Sequence, residues 1–435
     1  MDPRLSNHEA KVARIARQLR ERTSTRPLSL LKKSVSHRVP KAFDKRFTDD
    51  RIDLSDLDQI LSIDVERRLC TAEPGVTFVA LVEATLAHGL IPIVVPELKT
   101  ITVGGAVAGC SIESMSFVRG GFHDTCREYE VITARGEVLR CAPGENELLF
   151  QMLHGTFGTV GIISKLVFEL VPAKPFVHVT YEKYRSVADY KAAIWRHYEA
   201  RDVDFMDGMI HAPDFLVLCA GRFVDRAPYT HAYDWMRVYY RSTATRDEDY
   251  LRTQDYVFRY DKGVTKLRPS SFVGRLLLGR FLGSSEILRI AEKLHWLLPR
   301  ERPGITLDTF IPFSKVDEFL AWYAGTFRHF PLWVVPYKRV RDYEWIRPAF
   351  WKQTTDELFL DIAIYGMNQP PDGKNYYRLM EEKLMEIGGL KTLISHNFYS
   401  ESEFWNIWDK ENYDRAKAIA DPAGVFRDLY TKTCR

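Results

Sequence analysis

Apolar and polar positions alternate along this chain with two periods, and the predicted element changes where the period changes. Val12, Ile15, Ala16 and Leu19 make one helical stripe in the charged segment Met1 to Arg22, behind Ser6 and Asn7. That pattern predicts an amphipathic helix and not a signal peptide. Val65 to Gly75 predicts a hairpin closing at Pro74-Gly75. Phe78, Leu81, Val82, Thr85 and Leu86 fall at helical spacing between a Thr77 cap and a Gly89 stop, and Ile91 to Val95 follows as a strand. Next, a strand Glu128 to Ala134 turns at Arg135-Gly136 into Glu137 to Arg140, an apolar helix covers Asn146 to His154, and a strand covers Ile162 to Leu170.

From about Pro175 the pattern shifts to long alternating runs rich in Tyr, Phe and Trp, which suits a second domain built on an antiparallel sheet. Its strands are His178 to Tyr181, Phe215 to Cys219, Ile305 to Phe310, Leu332 to Tyr337 and Leu358 to Ile364, with helices at Val187 to Tyr198, Ser314 to Tyr323 and Tyr376 to Ile387. Phe404, Trp405, Trp408 and Tyr413 then precede a helix Val425 to Cys434. A tail this aromatic is expected to pack back on the body of the protein. The sequence contains no internal repeat.

Two glycine clusters flank the Arg135-Gly136 hairpin. The first is Gly104, Gly105 and Gly109; the second is Gly155, Gly158 and Gly161. The first matches neither GxGxxG nor a Walker loop, so a mononucleotide on a βαβ unit is not implied. Glycines grouped in this way let backbone approach a ligand or another strand, and a tight packed turn accounts for them equally.

TVGGAVAGCSIES at Thr102 to Ser114, GTFGTVGII at Gly155 to Ile163 and VPAK at Val171 to Lys174 resemble the PCMH-type FAD-binding fold of the vanillyl-alcohol-oxidase superfamily, and within it the Δ24-sterol reductases of the Diminuto type. The likeness continues through LWVVPY at Leu332 to Tyr337, ELFLDIAIYG at Glu357 to Gly366 and SESEFWNIWD at Ser400 to Asp409. It implies an α+β fold: an FAD-binding domain of two small subdomains over residues 1–174, to which 400–435 returns, and a substrate cap over 175–399 with an antiparallel sheet. The implied cofactor is non-covalent FAD, with NADPH as electron donor.

By the same resemblance, Glu97, Leu98, Thr102, Val103, Gly104, Gly105, Gly109, Ser111, Ile112 and Ser114 pass along the pyrophosphate and ring. Gly158, Thr159, Gly161 and Ile162 line the adenine-ribose end. The superfamily's glycine-rich phosphate loop is replaced by Lys32, Lys33, Ser34, Val35, Ser36 and His37. Ammonium and hydroxyl donors suit a diphosphate, and a basic surface loop is the other reading. His37 stands where some members attach FAD covalently, but it lacks their glycine framework.

Composition narrows the classes. With 61 Lys and Arg against 58 Asp and Glu, the net charge of +3 gives no global reason for nucleic acid binding. The six cysteines include no CxxC pair and no zinc spacing, so no metal site is expected and a reducing cytoplasmic compartment is. No stretch reaches the length of a membrane span, whereas the animal and plant members of the resembled family carry an N-terminal anchor. Residues 262–302 mix nine positive charges with Phe272, Leu276, Leu277, Leu278, Phe281 and Leu282. They fit either peripheral contact with an anionic membrane, where a lipid substrate enters, or a solvated helical excursion.

For chemistry, there is no GxSxG, HExxH or kinase set, so a flavin would carry the redox step. Lys338 is the candidate positive group beside the flavin, with a surface lysine as the alternative. Tyr365 and His396 are candidate proton donors, with packing roles as the alternative. The expected activity is reduction of an isolated C=C bond in a sterol, terpenoid or other lipid. The alternatives are an FAD oxidase or dehydrogenase acting on an alcohol of a sugar, polyol or prenyl-linked substrate, and a lipid-binding module that has lost its cofactor.

Overall fold

The computed structural model describes residues 3–42, 44–233, 237–261, 284–298 and 302–434. The α+β expectation holds as a mixture of helices and mainly antiparallel sheets. A six-stranded sheet is built from Ile60–Asp64, Leu69–Ala72, Ile162–Pro172, Cys126–Ile132 and Val138–Cys141 in that order, with Leu90–Pro92 pairing the far end of Ile162–Pro172. An eight-stranded antiparallel sheet runs in the order Glu248–Arg252, Phe176–Tyr184, Phe215–Val224, Phe205–Ala212, Leu332–Lys338, Leu358–Met367, Ile305–Pro312 and Leu390–Lys391. A short parallel pair, Leu28–Leu31 with Asp50–Asp53, completes the sheets.

Side-chain alternation decides what each face of the larger sheet covers. Leu358, Leu360, Ile362 and Ile364 pack with Ile194, Phe319, Tyr323, Tyr377 and Leu384 of the helices Val187–Ala200, Val316–Thr326 and Tyr376–Ile387. Phe359 and Ala363, with Trp333, Val335 and Tyr337 on the neighbouring strand, join the core that contains Phe78, Phe122, Tyr129 and Phe168 of the smaller sheet's layer. The larger sheet is therefore buried on both faces.

The first helix, Pro3–Arg20, buries the expected stripe of Val12, Ile15, Ala16 and Leu19 against Leu28, Ile52, Leu54 and Ile132. His8 sits 2.9 Å from both Glu73 and Glu130, and Lys11 donates to Glu73. No helix among the described residues is long and apolar enough to cross a membrane. All six cysteines are free thiols.

Several predicted elements shift for local reasons. The expected Val65 to Gly75 hairpin instead turns at residues 65–68, where Asp64 accepts the Arg67 N–H at 2.8 Å and Arg68 takes φ 54°. Pro74-Gly75 lies beyond it, with the Gly75 N–H on Leu57 O at 2.7 Å. Thr77 makes no side-chain cap bond, and the strand at Ile91 to Val95 reduces to Leu90–Pro92, since proline has no N–H for the ladder. Only Leu429–Thr433 of the expected final helix is helical, because the Asp421 carboxylate takes the N–H groups of Val425 and Phe426 and the Leu28 N–H takes Val425 O.

Candidate functional site

The two glycine clusters meet. The Thr102 hydroxyl accepts the Gly105 N–H at 3.2 Å and opens a short helix, Val103–Ala108, so the first cluster is helical and not an open turn. The second cluster folds back on it: the Gly155 N–H reaches Val107 O at 3.3 Å and the Phe157 N–H reaches Ala108 O at 3.2 Å. Gly155 and Gly158 have φ of 67° and 70°, a left-handed backbone that suits residues without Cβ. Between these turns and the larger sheet lies a cavity. One wall is Gly109, Cys110, Ile112, His123, Gly155 and Phe157; the opposite wall is Phe310, Tyr337, Phe359 and residues 390–393; Tyr343, Trp345, Trp351 and Trp408 complete it.

Cations from both ends of the chain converge beside Phe157. The Arg38 guanidinium lies 5.4 Å from the Phe157 ring and donates to Lys432 O at 3.2 Å; the Lys432 ammonium donates to Phe157 O at 2.8 Å, and Lys41 to Thr433 O at 3.0 Å. Burial, then the neighbouring Arg38, pushes Lys41 and Lys432 down to about 7 and, with Arg46 in place of itself, Arg38 to about 10. The nearby carboxylate, Asp44, is bound to Arg46. Arg38 Nε and Nη1 and Ser34 Oγ are buried without a hydrogen-bond partner. Like charges packed beside unmet donors make this a candidate anion site.

Residues 37–142 match the family described as "FAD binding domain". Along its whole length the chain is 24% identical to the human Delta(24)-sterol reductase, covering 87% of that protein, and over 86% of its length it is 24% identical to the Caenorhabditis elegans Delta(24)-sterol reductase homolog dhcr-24, covering 77% of it. A shorter stretch, 125 residues and 28% of the chain, is 38% identical to the decaprenylphosphoryl-beta-D-ribose oxidase of Mycolicibacterium smegmatis, covering 27% of that protein. The chain is an FAD-dependent oxidoreductase.

The chemistry of the cation cluster suits a diphosphate, and the glycines of the first cluster differ in what surrounds them. A Cβ on Gly105 meets only Thr102 Oγ1, at 3.1 Å, and Lys32 Nζ, at 3.9 Å. Gly104 is different: its Cβ lands 2.5 Å from Pro74 Cβ, so this glycine serves packing against the Pro74 turn. Val103 is fully buried, and Gly109 faces Phe157 and Ile394. Ile112 lines the cavity, the Ser111 N–H bonds Ala106 O, and Ser114 O accepts the Met206 N–H at 2.7 Å, joining this loop to the larger sheet.

Residues 33–37 divide. Lys33 points to solvent and pairs with Asp58 at 2.9 Å, Val35 is buried, and Ser36 Oγ accepts the Arg38 N–H at 3.4 Å. His37 bonds Thr100 Oγ1 at 3.1 Å, and burial beside the Lys32 charge pushes it down to about 3, so the imidazole is neutral. Leu98 is buried, and burial raises the Glu97 carboxyl to about 8. Thr159 and Ile162 are core residues, Gly158 approaches Leu30, and a Cβ on Gly161 falls 2.9 Å from Val131.

Of the three residues expected to act on substrate, none lines the cavity. Lys338 lies on the helical face of its strand, 3.8 Å from Glu357 and over the Tyr198 ring. Its neighbour Tyr337 faces the cavity instead, as alternation along Leu332–Lys338 requires. Tyr365 donates to Asp308 at 3.1 Å, within a group of carboxyls whose members Asp308 and Asp361 are raised by burial, Asp361 also by Asp308 and Glu97. His396 supplies its carbonyl to Lys391, which is buried in the cavity wall and paired with Glu381. A second buried ion network, Arg259 between Asp207 at 3.0 Å and Glu113 at 3.2 Å, joins the Ser111 to Ser114 loop to the strand Phe205–Ala212.

Proposed function

We propose that this oxidoreductase saturates an isolated C=C bond of a sterol, terpenoid or other lipid, with NADPH as reductant. The supporting observation is the cavity lining: Ile112, Phe157, Phe310, Trp345, Trp351, Phe359 and Trp408 offer an aromatic and aliphatic chamber suited to a hydrocarbon and poorly suited to a sugar. The names of the relatives that align over most of the chain point the same way. When bound, the flavin supplies hydride chemistry. The protein's part is to exclude water with the tryptophans and to hold the lipid against the glycine wall. In this reading residues 175–399 are the substrate cap, and 1–174 with 400–435 hold the cofactor.

Alcohol oxidation is the second reading, favoured by the 38% identity to an oxidase over 125 residues. An anaerobic spectrum separates the two. NADPH is expected to bleach the oxidised flavin bands, and a sterol with an isolated side-chain double bond to restore them. Bands unmoved by NADPH but bleached by a lipid alcohol would overturn the reductase reading.

Peripheral membrane contact is part of the same proposal. Most of the basic, leucine-rich region lies outside the described residues. Its described part, anchored by His295 on Ala42 O at 2.9 Å, exposes Ile290, Leu294, Trp296 and Leu297 beside Arg289 and Lys293. Replacing Trp296 and Leu297 by Ser is expected to weaken co-sedimentation with anionic liposomes; unchanged sedimentation would remove this surface.

A further inference from the structure

The cavity, lined mainly by apolar side chains but also by His123, Lys391 and Thr392, carries two phenol hydroxyls whose protons can be counted. Tyr337 and Tyr343 both line it and are hydrogen-bonded to each other through their hydroxyls. Tyr343 also donates to Asp124 Oδ2 at 2.9 Å. Asp124 is buried and receives the Gly121 N–H on Oδ2 at 2.9 Å and the Arg341 guanidinium on Oδ1 at 3.1 Å. His123, 3.2 Å from the same carboxylate, is held neutral by burial, so the charge facing Asp124 is that of Arg341.

A carboxylate only accepts, and a phenol has one proton. The Tyr343 proton is committed to Asp124, so in the bond between the two tyrosines Tyr337 is the donor. Tyr337 Oη therefore has no proton left for the cavity and presents an acceptor lone pair. Burial keeps both phenols protonated, which preserves this direction.

We infer that the cavity recognises a lipid alcohol, whose hydroxyl donates its proton to Tyr337 Oη at the head of the chain Tyr337, Tyr343, Asp124. This rests on the reading of the cavity as the lipid site and narrows its substrate class. A ketone or methyl ether of the same skeleton has no proton to give, and it leaves the Tyr337 lone pair facing another acceptor or a methyl group.

Binding tests this without turnover, because Trp345, Trp351 and Trp408 in the lining report occupancy by fluorescence quenching. The probes are a steroid alcohol, its ketone and its methyl ether, titrated into the FAD-loaded protein. The alcohol is expected to bind about tenfold more tightly than either, the size of one unmet buried hydrogen bond. Tyr337→Phe is expected to bind all three alike while keeping its flavin, and Asp124→Asn, which can donate back to Tyr343 and reverse the chain, to lose or invert the preference. Equal affinities in the natural protein, or a preference that survives in Tyr337→Phe, would overturn the inference. Absence of quenching by all three would overturn the lipid-site reading itself, and with it this one. The direction of electron flow is read separately, from the flavin spectrum.

Discussion

We propose the cluster of Arg38, Lys41 and Lys432 as the seat of the FAD diphosphate, and loading it there would change the protonation of the cluster by an amount that can be counted. In the free protein, burial and mutual repulsion hold Lys41 and Lys432 down to about 7. At pH 8 a lysine of that pKa is only about one-tenth protonated. A diphosphate beside it restores the ordinary lysine value, so each lysine takes up about 0.9 proton and FAD binding absorbs between one and two protons in all, to order of magnitude. Arg38, at about 10, is already charged at pH 8 and adds little. The sign follows from linkage: the bound form holds more protons, so affinity is full below about pH 7 and falls as pH rises, by up to about tenfold per unit for each proton absorbed. Calorimetric titration of apoprotein with FAD in Tris and in HEPES at pH 8 measures the uptake from the difference in apparent enthalpy. Lys432→Met is expected to halve it, and inorganic pyrophosphate to reproduce most of it. Identical enthalpies in the two buffers would refute the placement of the diphosphate at this cluster.

Four further outcomes follow. Gly104→Ala drives a methyl to within 2.5 Å of Pro74 and is expected to lower stability by about 1–3 kcal/mol with flavin retained; Gly105→Val, toward Lys32, is expected to lose flavin from a folded protein, both read by melting temperature and flavin-to-protein absorbance ratio. Arg259→Leu strips the counter-charge from Asp207 and Glu113 and is expected to cost about 3–5 kcal/mol in urea unfolding. Asp308 binds its proton more tightly in the folded protein, at about 6, than when unfolded, so its contribution to stability is greatest below about pH 4 and is lost as pH rises through 6; Asp308→Asn is expected to flatten that fall in urea midpoints between pH 4.5 and 7.

Much of the frame was legible because alternation and helical spacing carry it: Leu332 to Tyr337 and Leu358 to Ile364 are strands, and Tyr376–Ile387 is a helix with the predicted bounds. Phe205–Ala212 escaped notice because Asp207 and Gly208 interrupt its apolar run; Asp207 is tolerated there only through Arg259, Tyr260 and Trp333. The glycine turns were found, but their meeting depends on long-range backbone bonds that no local pattern encodes. The expected phosphate loop, Lys32 to His37, borders the buried cations Arg38 and Lys41, and Lys432 joins them from far along the chain, which no local pattern encodes. Choosing Tyr337 over Lys338 needed only the period of two. Choosing Asp124 as the end of the tyrosine chain needed the fold.

The stitching of residue 38 to residue 432, 394 positions apart, has a consequence for biogenesis. Lys432 is synthesised 394 positions after Arg38, and until it is made the cluster lacks one of its cations and the Phe157 turn lacks the ammonium on its carbonyl. A chain cut before Lys432 is therefore expected to lose the Arg38 and Phe157 tethers together.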